Sequence, residues 1–231
     1  MSAPENSPLR IAAFIDVDGT LLTVQSARLY VDFLRRKRLL SAGDLARVLW
    51  AAVRYRLGLM NMRKLGEMSA RLIRGRSEAQ AVAHCREWYA NELRRHFRSE
   101  MLDRIEAHRK RGDVLVLLTG STRHITGLIA SELGIEHMLV TELEVEGGRF
   151  TGRALGPVCF GGGKVTKAES FAIDHAIDLT SSYFYSDSIA DLPMFEKVGN
   201  PYVVDPDPRL GNEAQRRGWP SLPAGRAAAV I

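Results

Sequence analysis

Cysteine is almost absent. The 231 residues include two, Cys85 and Cys159, which lie too far apart in sequence to form a metal-type pair. That scarcity excludes a disulfide framework and makes the reducing cytoplasm the expected compartment. Long apolar runs are also missing. No window approaches the roughly 18 residues of a membrane-crossing helix, and the densest one, Val48 to Val53, is bracketed by Arg47 and Arg54. The opening residues carry Glu5 and Pro8, and their apolar run extends only from Ile11 to Ile15, which argues against a secretory leader. The six histidines, at 84, 96, 108, 124, 137 and 175, show no metal-ligand spacing. There is no internal repeat, no low-complexity tract and no recognised nucleic-acid motif.

What is present is an ordinary globular composition, 45% hydrophobic and 26% charged, with enough apolar residues to bury a sizeable core. The formal net charge of +5 is unevenly spread. Residues 23–100 hold 17 Lys and Arg against 7 Asp and Glu, while the rest of the chain is mildly acidic. Two regions with different tasks are expected.

Ile11-Ala-Ala-Phe-Ile15 runs straight into Asp16-Val-Asp18-Gly19-Thr20. A short apolar run without helical period reads as a strand buried on both faces, as in a parallel sheet. The bland alternative for the two aspartates is a surface turn after a core strand. From about Ser26 to Arg98 helical periodicity replaces strand signals. Helices are expected near 26–38, 44–57, 62–74 and 78–97. Leu45, Val48, Leu49, Ala52 and Val53 form the apolar face of the second, Ser41 and Asp44 mark its start, and Gly58 its stop. After Met101 strands and helices alternate. Expected are a helix through 105–110, a strand at 113–118, a helix at 123–133 capped by Gly134 and a strand at 137–141. A hairpin over 143–154 follows around Gly147-Gly148, then a helix from Lys164, a strand at 182–186, a short helix at 193–197 and a strand at 202–204.

The expected fold is therefore α/β, a three-layer Rossmann-like core with a parallel sheet and an inserted all-α helical cap. The core takes residues 9–22 and 101–220 and the cap residues 23–100. Residues 1–8 and 221–231 are expected to be flexible termini.

Ligands of open α/β sheets bind outside the carboxyl ends of the strands. Three strand ends carry polar residues here: Asp16 with Asp18, Thr119, and Asp187 with Asp191 four residues on. Lys164 opens a helix behind Gly161-Gly162-Gly163. Four carboxylates in one pocket repel each other and call for a cation, and Mg²⁺ is commonly held by one or two carboxylates, waters and a substrate phosphate. Lys164 and the backbone N–H groups near Thr119 and Gly120 suit phosphate oxygens. The ensemble points to a phosphate site with Mg²⁺.

Four motifs occur in order: Asp16-Val-Asp18-Gly-Thr20, Leu117-Leu-Thr119-Gly-Ser, Gly163-Lys164-Val, and Asp187-Ser-Ile-Ala-Asp191-Leu-Pro. With the helical insert between the first two, they make the chain resemble the haloacid dehalogenase (HAD) superfamily phosphatases, in the branch of phosphoserine phosphatase. The resemblance implies a phosphatase in which Asp16 attacks phosphorus to form an aspartyl-phosphate. Asp18 protonates the leaving alcohol and later takes a proton from water. It further implies Mg²⁺ held by the carboxylates of Asp16 and Asp187 and the Asp18 carbonyl. Thr119, Gly120 and Lys164 bind the phosphoryl oxygens, and Asp191 supports a metal water or Lys164.

The implied partner is a small phosphorylated metabolite. Phosphoserine phosphatases carry a glutamate for the substrate ammonium where spacing puts Gln25, and a cap arginine where a rough alignment puts Glu67, near Arg63 and Arg71. A second expectation comes from Arg47, Trp50 and Arg54, which share one side of a cap helix. They would suit an anionic lipid surface and a phosphatidylglycerophosphate-like head group. A third reading, a non-catalytic module binding anions or nucleic acid, finds no supporting motif. His124, just after the Thr119 loop, is a possible substrate contact, with an ordinary surface or core histidine as the alternative.

Overall fold

A computed structural model of the chain describes residues 9–56, 68 and 70–222. In chain order the elements are β1 (Ala12–Ile15), α1 (Ser26–Arg36), α2 (Ala42–Arg56), α3 (Glu78–Trp88), α4 (Ser99–Arg111), β2 (Val114–Thr122) and α5 (Arg123–Leu133). The chain continues with β3 (His137–Glu146), β4 (Arg149–Leu155), α6 (Gly162–His175), β5 (Tyr183–Ser186), α7 (Leu192–Phe195), β6 (Asn200–Val204), α8 (Pro208–Arg217) and β7 (Ser221–Leu222). The strands form one seven-stranded sheet in the order β4-β3-β2-β1-β5-β6-β7. Each neighbouring pair is parallel except β3 with β4.

β1 sits at the centre because its side chains leave it no other place. All four residues are buried. Ala13 and Ile15 join Leu115, Leu117 and Tyr185 on one face, while Ala12 and Phe14 join Val114, Val116 and Phe184 on the other. This is the period-two alternation of a strand sandwiched between helical layers. Burying Phe14 and Ile15 contributes about 1.5–3 kcal/mol each relative to exposure. From β1 the sheet grows to one side through β2 and β3, and to the other through β5, β6 and β7. The carboxyl end of β1 is thus the point where strand order reverses, the place where open α/β sheets bind their ligands. The register aligns that edge, since Ile15 lies beside both Leu117 and Tyr185.

Of the helices between β1 and β2, α1, α3 and α4 share the hydrophobic cluster of one sheet face. Phe33, Leu34, Trp88, Tyr89, Leu93 and Phe97 belong to the same buried cluster as Ile15 and Leu117. Trp88 is fully buried, its ring 5.0 Å from that of Tyr30. The stretch read as the fourth helix buries Cys85, Tyr89 and Leu93. It does so across a change of winding, since the α-helix ends at Trp88 and wider and then tighter turns carry the chain to His96.

Several expectations change. The strand at 137–141 and the first arm of the hairpin are one strand, β3, because nothing in that stretch breaks the extended backbone. Ser221 and Leu222 are not part of a loose terminus. They pair with Val203 and Val204 as an edge strand, and Leu222 is buried. α8 was not expected: it is short and polar, with Asp207 capping its start through the N–H groups of Arg209 and Leu210. The start of α2 is as read, with the Asp44 N–H donating to Ser41 Oγ and the Ser41 N–H to Asp44 Oδ2, both at 3.1 Å. Part of its expected apolar face is not. Leu49 and Val53 are exposed (67% and 46%), Val48 is half-buried and Ala51 is buried, while the side chains of Leu45 and Ala52 lie outside the described residues. Gly58, Arg63 and Glu67 lie outside the described residues, as does most of the 62–74 helix. Among the described residues no helix is long and apolar enough to cross a membrane.

Candidate active site

Asp16 leaves β1 with its N–H donating to the Tyr185 carbonyl at 3.0 Å, so the last sheet bond is also the first bond of the site. The chain then coils tightly: the Leu21 N–H reaches the Asp16 carbonyl and the Leu22 N–H that of Val17. Gly19 makes this coil possible. Its φ is +77°, and a Cβ there would land on Asp187 Oδ2. The missing side chain lets the Asp187 carboxylate lie against the backbone of the double-aspartate loop.

Asp187 leaves β5 on the next strand, and Thr20 Oγ1 donates to its Oδ1 at 3.3 Å. A tight turn over Ile189–Asp191 brings Asp191 back beneath it. Asp191 is 2% exposed, and its Oδ2 accepts from both Ser186 Oγ and Lys164 Nζ at 2.6 Å. Lys164 projects from the first turn of α6, where Gly163 lies too close to the Val158 carbonyl to carry a Cβ. Its ammonium is 3.0 Å from Asp16 Oδ1 and 2.6 Å from Asp191 Oδ2. Asp16, Lys164, Asp187 and Asp191 thus converge at one strand edge.

The charges do not balance. Burial pushes the Asp16 carboxyl up to about 7; Lys164 opposes this, while Asp191 and Asp187 add to it. Burial also raises Asp187, to about 6. Burial works against the Lys164 charge too, but the Asp16 and Asp191 carboxylates more than offset it and hold the ammonium above the ordinary lysine value. One lysine therefore serves three acids, and the site favours a further positive charge. Asp191 Oδ1 is buried with no hydrogen-bond partner. Among the described residues no three His, Cys, Asp or Glu side chains group closely enough to hold a metal on their own. These donors fit a hard cation that takes few carboxylates and keeps water ligands, and the orphaned Asp191 oxygen retains the capacity to accept a hydrogen bond.

Asp18 is set apart from this cluster. Its Oδ1 accepts from the Ser26 N–H at 2.5 Å and its Oδ2 from Ser121 Oγ at 2.8 Å. Ser121 follows Thr119 and Gly120 on the last residues of β2, and its N–H donates to Thr119 Oγ1 at 3.2 Å. The second motif is therefore beside the first, as the sequence reading requires. Ser26 and Ser121 were not singled out by that reading. Ser121 stood inside the quoted motif, and that was the available signal. Arg98 was missed as well. It is buried, and it donates to the carbonyls of Thr20 (Nε, 3.0 Å) and Gly19 (Nη2, 3.0 Å) and to Asp205 Oδ2 at 3.2 Å. In a segment rich in arginine nothing in the sequence distinguishes it.

The outer residues fall as follows. His124 pairs with Glu78 Oε1 at 3.0 Å and lies edge-on to Phe150, so it joins the start of α3 to the core. The Gln25 amide nitrogen lies 3.0 Å from where a Gly19 Cβ would stand, at the rim of the site. Arg71 lines a cavity of about 220 Å³ with Gly152, Arg153, Ala154, Gly156 and Val158, next to the loop that leads to Lys164.

The family model for haloacid dehalogenase-like hydrolases matches residues 13–196. A phosphoserine phosphatase of Mycobacterium tuberculosis is 32% identical over 215 residues, covering 91% of this chain and 70% of that one. A histidinol-phosphatase of Neisseria meningitidis is 29% identical over 216 residues, covering 91% of this chain and 97% of that one. A solved structure from Bordetella pertussis, of a protein of unknown function, superposes with a TM-score of 0.86. It is 30% identical, covering 93% of this chain and 99% of that one.

Proposed function

The chain belongs to the haloacid dehalogenase-like hydrolases and is a phosphatase, and we propose that it hydrolyses a small phosphomonoester through a phosphorylated Asp16 with Mg²⁺ bound. The observation that carries this reading is the buried Asp16–Lys164–Asp191 cluster at the end of β1, with Asp187 beside it. The proposed ligands of Mg²⁺ are the Asp16 and Asp187 carboxylates and the Asp18 carbonyl. When bound, Mg²⁺ supplies positive charge that keeps both carboxylates ionised and neutralises phosphoryl charge.

Asp16 is the nucleophile in this reading: Lys164 lies 3.0 Å from its Oδ1, and its other oxygen, outside that ion pair, attacks phosphorus. As the Asp16–phosphorus bond forms, the ester P–O bond breaks, and Asp18 gives the departing oxygen its proton. Asp18 then takes a proton from the water that attacks the phosphorylated Asp16, which releases inorganic phosphate. The Lys164 ammonium, the Thr119 hydroxyl and the Gly120 N–H offset the charge on the phosphoryl oxygens. Asp191 keeps Lys164 in place. Residues 23–100 act as a cap over the crevice, and Gln25 at its rim offers a substrate ammonium no charge partner. Among phosphorylated metabolites this disfavours phosphoserine. The test is hydrolysis of p-nitrophenyl phosphate. Turnover should need Mg²⁺, stop with EDTA and vanish in Asp16→Asn while the fold persists. Full activity in that variant would remove the nucleophile.

A second reading concerns where the enzyme works. Leu49, Trp50 and Val53 are exposed on α2, the Arg47 side chain is 68% exposed, and the Arg54 guanidinium lies 4.6 Å over the Trp50 ring. With the basic surplus of residues 23–100, this face suits an anionic lipid surface and a phospholipid head-group substrate. Vesicles with anionic lipid should then sediment the protein, and Trp50→Ala should weaken this. An absence of binding at low salt ends the reading.

A further inference from the structure

We infer that Ser121, backed by Ser26, is a positioning residue that fixes which oxygen of Asp18 carries the proton and aims it at the leaving group. The inference rests on Asp18 being the general acid. Its two oxygens have unlike partners. Oδ1 meets the Ser26 backbone N–H at 2.5 Å. An N–H only donates, so Oδ1 is held as an acceptor in every state of the carboxyl. A proton on Asp18 is therefore directed to Oδ2.

Oδ2 meets a hydroxyl, Ser121 Oγ, at 2.8 Å. A hydroxyl either donates or accepts. If it accepted, it would draw the acid proton away from the substrate. Ser121 Oγ donates to Oδ2, and the Ser26 side chain lies beside it, where either hydroxyl could donate to the other. Its Oγ is 3.4 Å from Ser121 Oγ, and Ser26 is fully buried. A Ser26 O–H donating to Ser121 Oγ leaves the Ser121 hydrogen for Asp18 Oδ2. Ser121 then occupies one lone pair of Oδ2 and the acid proton projects along the other direction, toward the departing oxygen. The Ser121 N–H is in turn anchored on Thr119 Oγ1 at 3.2 Å. The loop proposed to bind the phosphoryl group thus also orients the acid. Phosphate binding and proton delivery share one support.

General acid help matters most when the leaving oxygen is a strong base. The test is a series of substituted phenyl phosphates with Mg²⁺, read as kcat/KM against leaving-phenol pKa. In Ser121→Ala the dependence should steepen, with about a tenfold loss at the poorest leaving group and a smaller loss at p-nitrophenyl phosphate. Ser121→Thr, which keeps the hydroxyl, should restore the wild-type slope. Ser26→Ala keeps the N–H bond to Oδ1 and should steepen the slope less than Ser121→Ala does. An equal loss across the series, no loss at all, or a threonine variant as poor as the alanine one would overturn the role of Ser121. Asp18→Asn separates this from the underlying reading. If it does not steepen the dependence, Asp18 is not the acid and both fall. If it does while Ser121→Ala leaves the slope alone, the Ser121 assignment alone is wrong.

Discussion

Gly19 is where one atom decides the site. It has φ +77°, and any Cβ would occupy the place of Asp187 Oδ2. Gly19→Ala therefore carries two costs. The left-handed backbone costs of order 1–3 kcal/mol in a residue with a side chain, and Asp187 must move. The expected outcome is a folded protein with a lower melting temperature, about a hundredfold less activity on p-nitrophenyl phosphate, and weaker apparent Mg²⁺ affinity, since misplacing one group by an ångström can cost that much. An active Gly19→Ala enzyme with unchanged Mg²⁺ dependence would show that Asp187 does not need this approach. The meeting of Asp16, Lys164, Asp187 and Asp191 was legible because their motifs follow apolar strands or open a helix at one sheet edge. The serines around Asp18 were less so: Ser121 stood in the quoted motif without a role, and Ser26 holds Asp18 Oδ1 through a backbone N–H that every residue but proline has.

Among the elements, the junction of the inserted helices with the sheet depends on Arg98. It stands just before α4, and its N–H donates to the Leu21 carbonyl while its guanidinium holds the Gly19 and Thr20 carbonyls. Arg98 therefore ties the exit of the helical segment to the double-aspartate loop. Arg98→Met keeps the apolar stem but strands buried acceptors, each worth about 1–3 kcal/mol when left unmet. The ion pair with Asp205 adds little, because that side chain is 51% exposed. Urea unfolding should show a loss of about 2–3 kcal/mol, with kcat falling as the loop loosens. Wild-type stability in this variant would mean that the loop holds its shape without Arg98. Element types were largely readable, and the exceptions have physical causes. The buried side of α2 is set by what packs on it, so a face that periodicity drew through Leu49 and Val53 leaves both exposed while Ala51 is buried. β7 has two residues, too few to show any period. α8 has few apolar positions, and its Asp207-Pro208 start was its only clear signal.

At the scale of the whole molecule, a central strand flanked on both sides puts the acids of two neighbouring strands into one buried pocket. The cost appears as a pH dependence. Asp16 and Asp187 have native values near 7 and 6, above their unfolded values near 4, with burial as the main cause. Between about pH 4 and about pH 7 the native state then binds more protons than the unfolded chain, so the metal-free protein loses stability as pH rises through that window. The proposed Mg²⁺ site needs the ionised form, so binding there would compete with protons. The rise in melting temperature on adding Mg²⁺ should therefore be larger at about pH 8 than at about pH 5, and a shift independent of pH would contradict this charge balance. The central claim, that Asp16 carries the phosphoryl group, is tested most directly by acid-quenching the enzyme during turnover of a radiolabelled phosphomonoester and mapping the label. The account predicts label on the peptide containing Asp16, absent from Asp16→Asn. Label on another residue, or an Asp16→Asn enzyme that still turns over and carries label, would contradict it.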